Sequence, residues 1–434
     1  MRVGGTLAAL ALGLGGLSVQ PVLAQDRAKE STEAEFDAEA GWSEFEQLLR
    51  GKYAYIDRED MDVDAQLART RAVALEAKDR SELRRILHQT ALTFSDPHLI
   101  VGPFDDDDYN IVMTSSDLAM RVADGRAVVA DVRRDSAAFE AGLRPGDEVI
   151  AVDGVQALDA ALLPYGPVIG EPTPLQLDYG LTLAVNGKRA GERSLVVRRV
   201  ASGEVVTVSL ANARVFARAV NERDPVSFSF VGVDGTVAVL RPNNSLGNND
   251  TILAFDAALE QAIAAGATAV ILDMRETPSG GNTEVARSII GHFTDETTPY
   301  QMHRIPAFER EFTVPRQFVE YVMPRQPQFT GPVVVLHGKW TGSMGEGIVI
   351  GMDAATGAVS VGSDMGDLLG GLWNYDLEAS GARVDLGGEA LFHVDGTPRE
   401  DFVADYPLSA ASTAPDGSDP AVRRALEILA GEGE

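Results

Sequence analysis

Residues 340–347 read WTGSMGEG, between the apolar runs PVVVLHG (332–338) and IVIGM (348–352). Ser343 therefore sits where a buried strand is expected to turn into a helix. Two roles suit a serine there. Its hydroxyl can cap the helix, with Glu346 three residues on completing a capping box. Alternatively it can attack a carbonyl, because a helix start offers unpaired N–H groups and a positive dipole end to a developing oxyanion. The hydrolase elbow G-x-S-x-G is not present, since position 341 is threonine. A second stretch, DMRETPSGGNTEVA (273–286), reads as strand, glycine-rich turn and helix. Gly280 and Gly281 can expose N–H groups with no side chain in the way, or they can simply turn the chain.

The elements that must position these residues follow from periodicity. TVAVLRP (236–242) and ATAVILDMR (267–275) read as buried strands, with ILAFDAALEQAIAAG (252–266) a helix between them. NTEVARSIIGHF (282–293) is a further helix, and PVVVLHG, the Ser343 helix and AVSVGS (358–363) repeat the theme. Buried runs alternating with helices imply parallel strands and right-handed crossovers, with chemistry at the C-terminal strand ends. Residues 41–94 have helical spacing, with Ser81 and Glu82 expected to open the second helix. The stretch SDPHLIVGPFDDDDYN (95–110) is expected to be a loop whose four aspartates form a solvated acidic turn. From about 111 to 212 the pattern is β, in RAVVADVRR, DEVIAVDG, SLVVRRV and EVVTVSL. The last helix is expected in DPAVRRALEILAG (419–431).

Composition bounds the function. The chain has 434 residues, 45% hydrophobic and 24% charged, enough for a sizeable core. Arg2, the run LAALALGLGGL (7–17) and small residues at 22 and 24 read as a signal peptide over 1–24, cleaved after Ala24. The protein is accordingly expected to be periplasmic or secreted, without a membrane span. Cysteine is absent, which excludes disulfides, thiolate metal sites and a cysteine nucleophile. A net charge of −28 argues against nucleic acid and anionic membranes as partners. No metal motif and no phosphate-cradling loop are present, so neither metal nor cofactor is expected.

Two resemblances organise these readings. AGLRPGDEVIAVDG (141–154) resembles the core of a PDZ domain, a module that binds peptides by adding a strand to a sheet edge. The order R-x-x-P-x-G-G, then T-G-S-M-G-E, downstream of that module, resembles the serine peptidases of the C-terminal processing (tail-specific) and tricorn-core family. The resemblance covers roughly residues 40–410. It implies an α/β fold with a crotonase- and Clp-protease-like core of strand–strand–helix units. The expected divisions are an N-terminal helical segment and junction (25–110), a PDZ-like β-rich domain (111–212), a peptidase core (213–415) and a C-terminal helix (416–434). It also implies that Ser343 is the nucleophile, with the N–H groups of Met344 and of Gly280 or Gly281 as the oxyanion hole.

The family activates its serine in one of two ways. One branch places a lysine about two dozen residues after the serine, but VGSDMGDLLGG (361–371) has none, and only Lys339 falls in the catalytic half. The tricorn-like branch uses a histidine upstream of the PDZ-like module. FSDPHLIVG (94–102) matches that segment and implies His98 as the base. A family glutamate matches Glu400 in DGTPREDFVADYPL (395–408). Pro97 stands where that branch has a serine, so either Glu400 or Asp96 is left to orient His98. His88 and His292 are expected in helices, His303 in an irregular insert, His337 on the strand before Ser343 and His393 after a strand. The implied activity is peptide-bond hydrolysis of peptides or protein C-terminal tails. The alternative is a catalytically inactive binder of a peptide or apolar ligand on the same fold.

Overall fold

Parallel strands at the centre of a sheet are buried on both faces, so both faces must be covered. A computed structural model describes residues 36–431; the expected signal peptide lies outside the described residues. Its central sheet has six strands in the order 406–407, 359–362, 333–337, 269–273, 237–242 and 226–231. All neighbours run parallel except Val226–Val231, which pairs antiparallel with Val237–Pro242. The run AVILD at Ala269–Asp273 is buried at every position. Helices Asp250–Ala264, Thr283–Gly291 and Met344–Thr356 cover one face through Phe255, Leu259, Ile289, Ile348 and Ile350. Helix Pro420–Leu429 supplies the other cover, laying Ala421 and Ala425 on Val239, Ile271, Val334 and Val361. Strands Ala269–Asp273 and Val333–His337 lie in parallel register, so their C-terminal ends deliver both glycine-rich turns to one place.

A second sheet was not legible beforehand. It has the order 100–102, 383–392, 298–304 and 317–322, with Gly371–Asp376 paired to the long strand Arg383–Phe392. Its pairings are antiparallel, and two of them join segments far apart in sequence, 100–102 with 383–385 and 302–304 with 390–392. His303 therefore sits on the regular strand Thr298–Arg304, not in the irregular insert expected from sequence. Helices Ala38–Lys52, Val63–Ala74 and Arg80–Leu92 pack Trp42, Phe45, Leu49 and Leu83 onto Val384 and Leu386 of this sheet. The third of these helices is capped by Asp79, which accepts the Glu82 N–H, and not by Ser81.

The third sheet takes the order 118–123, 126–132, 148–152, 193–198 and 205–210, with 155–156 paired to 148–152. The four β runs read from sequence between 126 and 210 all form strands in it. The stretch from 157 forms a short helix, Ala157–Ala160, a 3₁₀ turn at Leu163–Val168 and the start of helix Pro174–Asn186. That helix begins with a capping box between Thr173 and Gln176. It lies along Leu118–Ala123, the edge strand, and its side chains take that strand's outward N–H groups. Asn186 accepts from Leu118 (3.2 Å), Thr182 from Met120 (3.1 Å) and Asp178 from Val122 (2.6 Å). The Asn186 amide also donates to the Leu118 carbonyl at 2.8 Å. The edge that a peptide would extend is thus already hydrogen-bonded within the chain.

Asn186 is fully buried and also accepts the Asp117 N–H. Asn186→Leu leaves these backbone groups unpaired and should lower the unfolding free energy by about 3 kcal/mol or more. Urea unfolding measures this, and a loss below about 1 kcal/mol would show that the strand edge finds other partners.

Candidate active site

The two glycine-rich turns are laced together by backbone hydrogen bonds. The Thr277 N–H donates to the Trp340 carbonyl (3.1 Å) and the Gly342 N–H to the Thr277 carbonyl (2.9 Å). The approach is close enough that a Cβ at Gly345 would lie 2.4 Å from the Thr277 hydroxyl, so no larger residue fits without displacement. This lacing forces Ser343 into φ 53°, ψ −116°, a conformation that a non-glycine residue holds only where its surroundings impose it. The strain is of order 1–3 kcal/mol. Glu346 closes one half of the capping box by accepting the Ser343 N–H at 2.8 Å. The Ser343 side chain faces the Glu346 N–H in the other half of the box, without the geometry of a full cap hydrogen bond. The side chain is consequently available to the cavity it lines.

That cavity, of about 460 Å³, is bounded by Ser343, Met344, Gly280, Gly281 and His98 among others. Gly280 lies directly beside Met344, since a Cβ built on it would be 3.1 Å from the Met344 Cβ. The N–H groups of Gly280 and Met344 have no acceptor among the described residues. Two adjacent, unpaired donors next to a serine hydroxyl form a site for negative charge on oxygen. Gly281, at φ 133°, lets the chain leave the turn for helix Thr283–Gly291.

His98 reaches the cavity from the loop before strand Ile100–Gly102. Its Nδ1 lies 3.1 Å from the Leu369 carbonyl. A carbonyl only accepts, so Nδ1 carries the proton and Nε2 is left with its lone pair. Burial, aided by the Arg399 charge, brings the His98 pKa down to about 4, which keeps the imidazole neutral at neutral pH. No hydrogen bond joins His98 to Ser343, and both line the same cavity. Asp96 does not contact the ring. It accepts the backbone N–H of His98 (2.8 Å) and of Leu369 (3.2 Å), together with the Tyr53 hydroxyl (2.8 Å). One buried carboxyl thereby holds both the histidine and the carbonyl that orients it. Burial pushes that carboxyl up to about 6 against those three donors.

Arg399, which sequence reasoning passed over in favour of its neighbour Glu400, ties the two halves together. Its guanidinium donates to the Ser343 carbonyl (3.1 Å) and to the carbonyls of Leu368 and Gly370, on either side of Leu369. It also pairs with Glu346 at 3.1 Å, both side chains being almost fully buried. Burial pushes the Glu346 carboxyl up, and the Arg399 guanidinium beside it pulls it back down. Nothing in the spacing of GTPRED marks this arginine as interior; only the fold around it does.

Glu400 lies elsewhere. It lines a neighbouring cavity with Tyr55, Ser95, Asp367 and Leu369 and makes no hydrogen bond to the His98 ring. Lys339 pairs with Asp364 at 3.5 Å and lines a third cavity. His337 is buried against Phe402, His292 bonds Asp256 and Pro327, His393 lies between Asp353 and Asp395, and His88 packs on Phe104. Two groups at the cavity were missed, His303 and Glu389, joined at 2.7 Å. Their strands pair residues almost ninety positions apart, so no local pattern foretells the contact. Among the described residues no cluster of histidine, aspartate and glutamate is placed to hold a metal ion.

Residues 238–401 match peptidase family S41. The carboxyl-terminal-processing peptidase 1, chloroplastic, of Arabidopsis thaliana is 27% identical over 235 residues, which cover 52% of this chain and 41% of that protein. The chain thus spans about two fifths of this relative's length. In fold, the chain is similar to mature CPAF complexed with lactacystin (TM-score 0.60, 15% identity, 91% of this chain and 98% of the other). It is similar also to the photosystem II D1 C-terminal processing protease (TM-score 0.53, 15% identity, 92% and 98%). Residues 238–401 are thus similar to peptidase family S41, in a chain whose fold is similar to these two structures over about nine tenths of its length.

Proposed function

We propose that the protein is an exported serine peptidase that cleaves peptides or protein C-terminal tails, with Ser343 as nucleophile and His98 as base. The observation that carries this reading is one cavity holding an uncapped serine hydroxyl, a neutral imidazole and two unpaired N–H groups. Ser343 Oγ attacks the scissile carbonyl and His98 Nε2 takes its proton. The carbonyl oxygen, now negative, is held by the N–H groups of Gly280 and Met344. The imidazolium then protonates the leaving amine as the C–N bond breaks. Water repeats the sequence on the acyl-enzyme, returning the proton to Ser343. His98 and Ser343 must close on each other when substrate binds, a tightening common between free and substrate-bound states. Glu400 is assigned a supporting electrostatic role through the neighbouring cavity, and Asp96 the positioning of His98. The tail preference rests on the name of the curated relative, and export rests on the N-terminal apolar run.

The PDZ-like module has a different part here from peptide capture at its strand edge, which helix Pro174–Asn186 occupies. Arg133 of this module pairs with Glu276 at 2.7 Å, both largely buried. Ser116 accepts from the Trp340 indole (2.9 Å), and Thr114 donates to the Pro278 carbonyl (3.4 Å). These contacts bear on both glycine-rich turns, so the module braces the oxyanion donors.

A fluorophosphonate probe should label Ser343 in the folded protein, located by peptide mapping. Ser343→Ala should abolish hydrolysis and leave the melting temperature within a few degrees. Folded protein that takes no label but retains a co-purified ligand would favour the binding alternative. The base must be neutral to act, so activity should rise through about pH 4 and be flat by about pH 6. An activity limb only near pH 9 would instead implicate Lys339. Arg399→Met leaves Glu346 buried without its cation, and should cost about 3–5 kcal/mol in urea unfolding.

A further inference from the structure

The cavity wall facing Ser343 is one face of the second sheet. Cross-strand register puts His303 opposite Leu391 and Phe318, and Gln301 opposite Glu320. Glu389, two residues from Leu391, shares that face, so Glu389, Leu391, Gln301, His303, Phe318 and Glu320 form one surface. The His303 ring stacks on Phe318 with centroids 4.4 Å apart. Its Nδ1 bonds Glu389 at 2.7 Å, and its Nε2 lies 3.0 Å from the Gln301 amide and 3.7 Å from Glu320. The nucleophile is close by. Gly347, one helical turn after Ser343, is so near Gln301 that a Cβ there would be 2.8 Å from its amide oxygen.

The ionisable groups of this wall are paired to different extents. Arg287 pairs with Glu284 and Glu320, and Arg399 is engaged by Glu346. Glu389 is the member open to the cavity, with 23% of its side chain exposed. The same cavity is also lined by the apolar side chains of Ile100, Leu368, Leu372 and Leu391. A cavity that offers both apolar side chains and a carboxylate suits a side chain with an aliphatic stem and a cationic tip.

We infer that this wall is a specificity subsite, in which Glu389, held by His303, receives a lysine or arginine side chain of the substrate next to the scissile bond. The inference rests on the peptidase reading of Ser343 and names the substrate class for it. A chain with net charge −28 also draws cationic peptides towards it at low salt.

The test uses the full chain with fluorogenic peptides of an alanine–leucine background, in which one lysine, arginine, leucine or glutamate is walked through each position. Lysine or arginine at one position beside the cleaved bond should raise kcat/KM at least tenfold over leucine. Glu389→Gln should remove that ratio while leaving leucine turnover within about threefold and fluorophosphonate labelling of Ser343 intact. A merely structural loss lowers all peptides together and leaves the ratio unchanged, which overturns the inference, as does a wild-type preference for leucine or glutamate. Absence of labelling in the parent protein overturns the peptidase reading itself.

Discussion

The buried pair of Arg399 and Glu346 is the constraint on which the site depends. A charge taken from water is tolerated inside a protein only when it is paired and its remaining hydrogen bonds are filled. Arg399 meets that condition with one carboxylate and three carbonyls, and those carbonyls belong to the two segments that carry the candidate nucleophile and orient the candidate base. Glu346 completes the arrangement by accepting N–H groups from Ser343 and Leu368. The helix beginning at Met344 and the loop at 368–370 are therefore fixed to each other before any substrate arrives. The capping box expected around Ser343 and the attack expected from it are not rivals. Glu346 caps, and the serine hydroxyl stays free.

Histidine 98 depends on the same loop by another route. Its protonated nitrogen points at the Leu369 carbonyl, and Asp96 grips the backbone of both partners. A carboxylate bonded to the ring would stabilise the charged imidazolium and raise its pKa. A carbonyl fixes the tautomer with a weaker pull, so burial dominates and the free imidazole stays neutral far into acid. The orienting role is thereby divided. The carbonyl sets the ring, the aspartate sets the carbonyl, and Arg399 holds the flanking peptides.

The parallel core was readable because each strand is a short apolar run and each helix has a clear stripe, as in AVILD and in Asp250–Ala264. The residues Ser343, Gly280, Gly281, Met344 and His98 could be named because they lie in compact motifs at element boundaries. The second sheet could not be read. GLWNYD and TPYQMHR are mixed in polarity, and the sheet closes only when Thr298–Arg304 and Ile100–Gly102 pair with the distant strand Arg383–Phe392. With that sheet went the environment of His303 and Glu389. Arg399 was hidden for a related reason: an arginine in a polar loop is ordinarily solvated, and only the interior carbonyls of two distant segments explain its burial. Glu400, its neighbour, lines the adjoining cavity.

The self-satisfied edge at Leu118–Ala123 carries a consequence for anyone designing ligands. A β-strand mimetic gains affinity by supplying acceptors to idle main-chain donors, and here the donors are already in use by Asp178, Thr182 and Asn186. Displacing them would require prying a helix from a sheet, a far larger rearrangement than seating a tail. Compounds aimed at this module are better shaped as wedges between it and the glycine-rich turns. There, loosening the seam at Arg133 and Trp340 would relax the donors beside Ser343 from a distance.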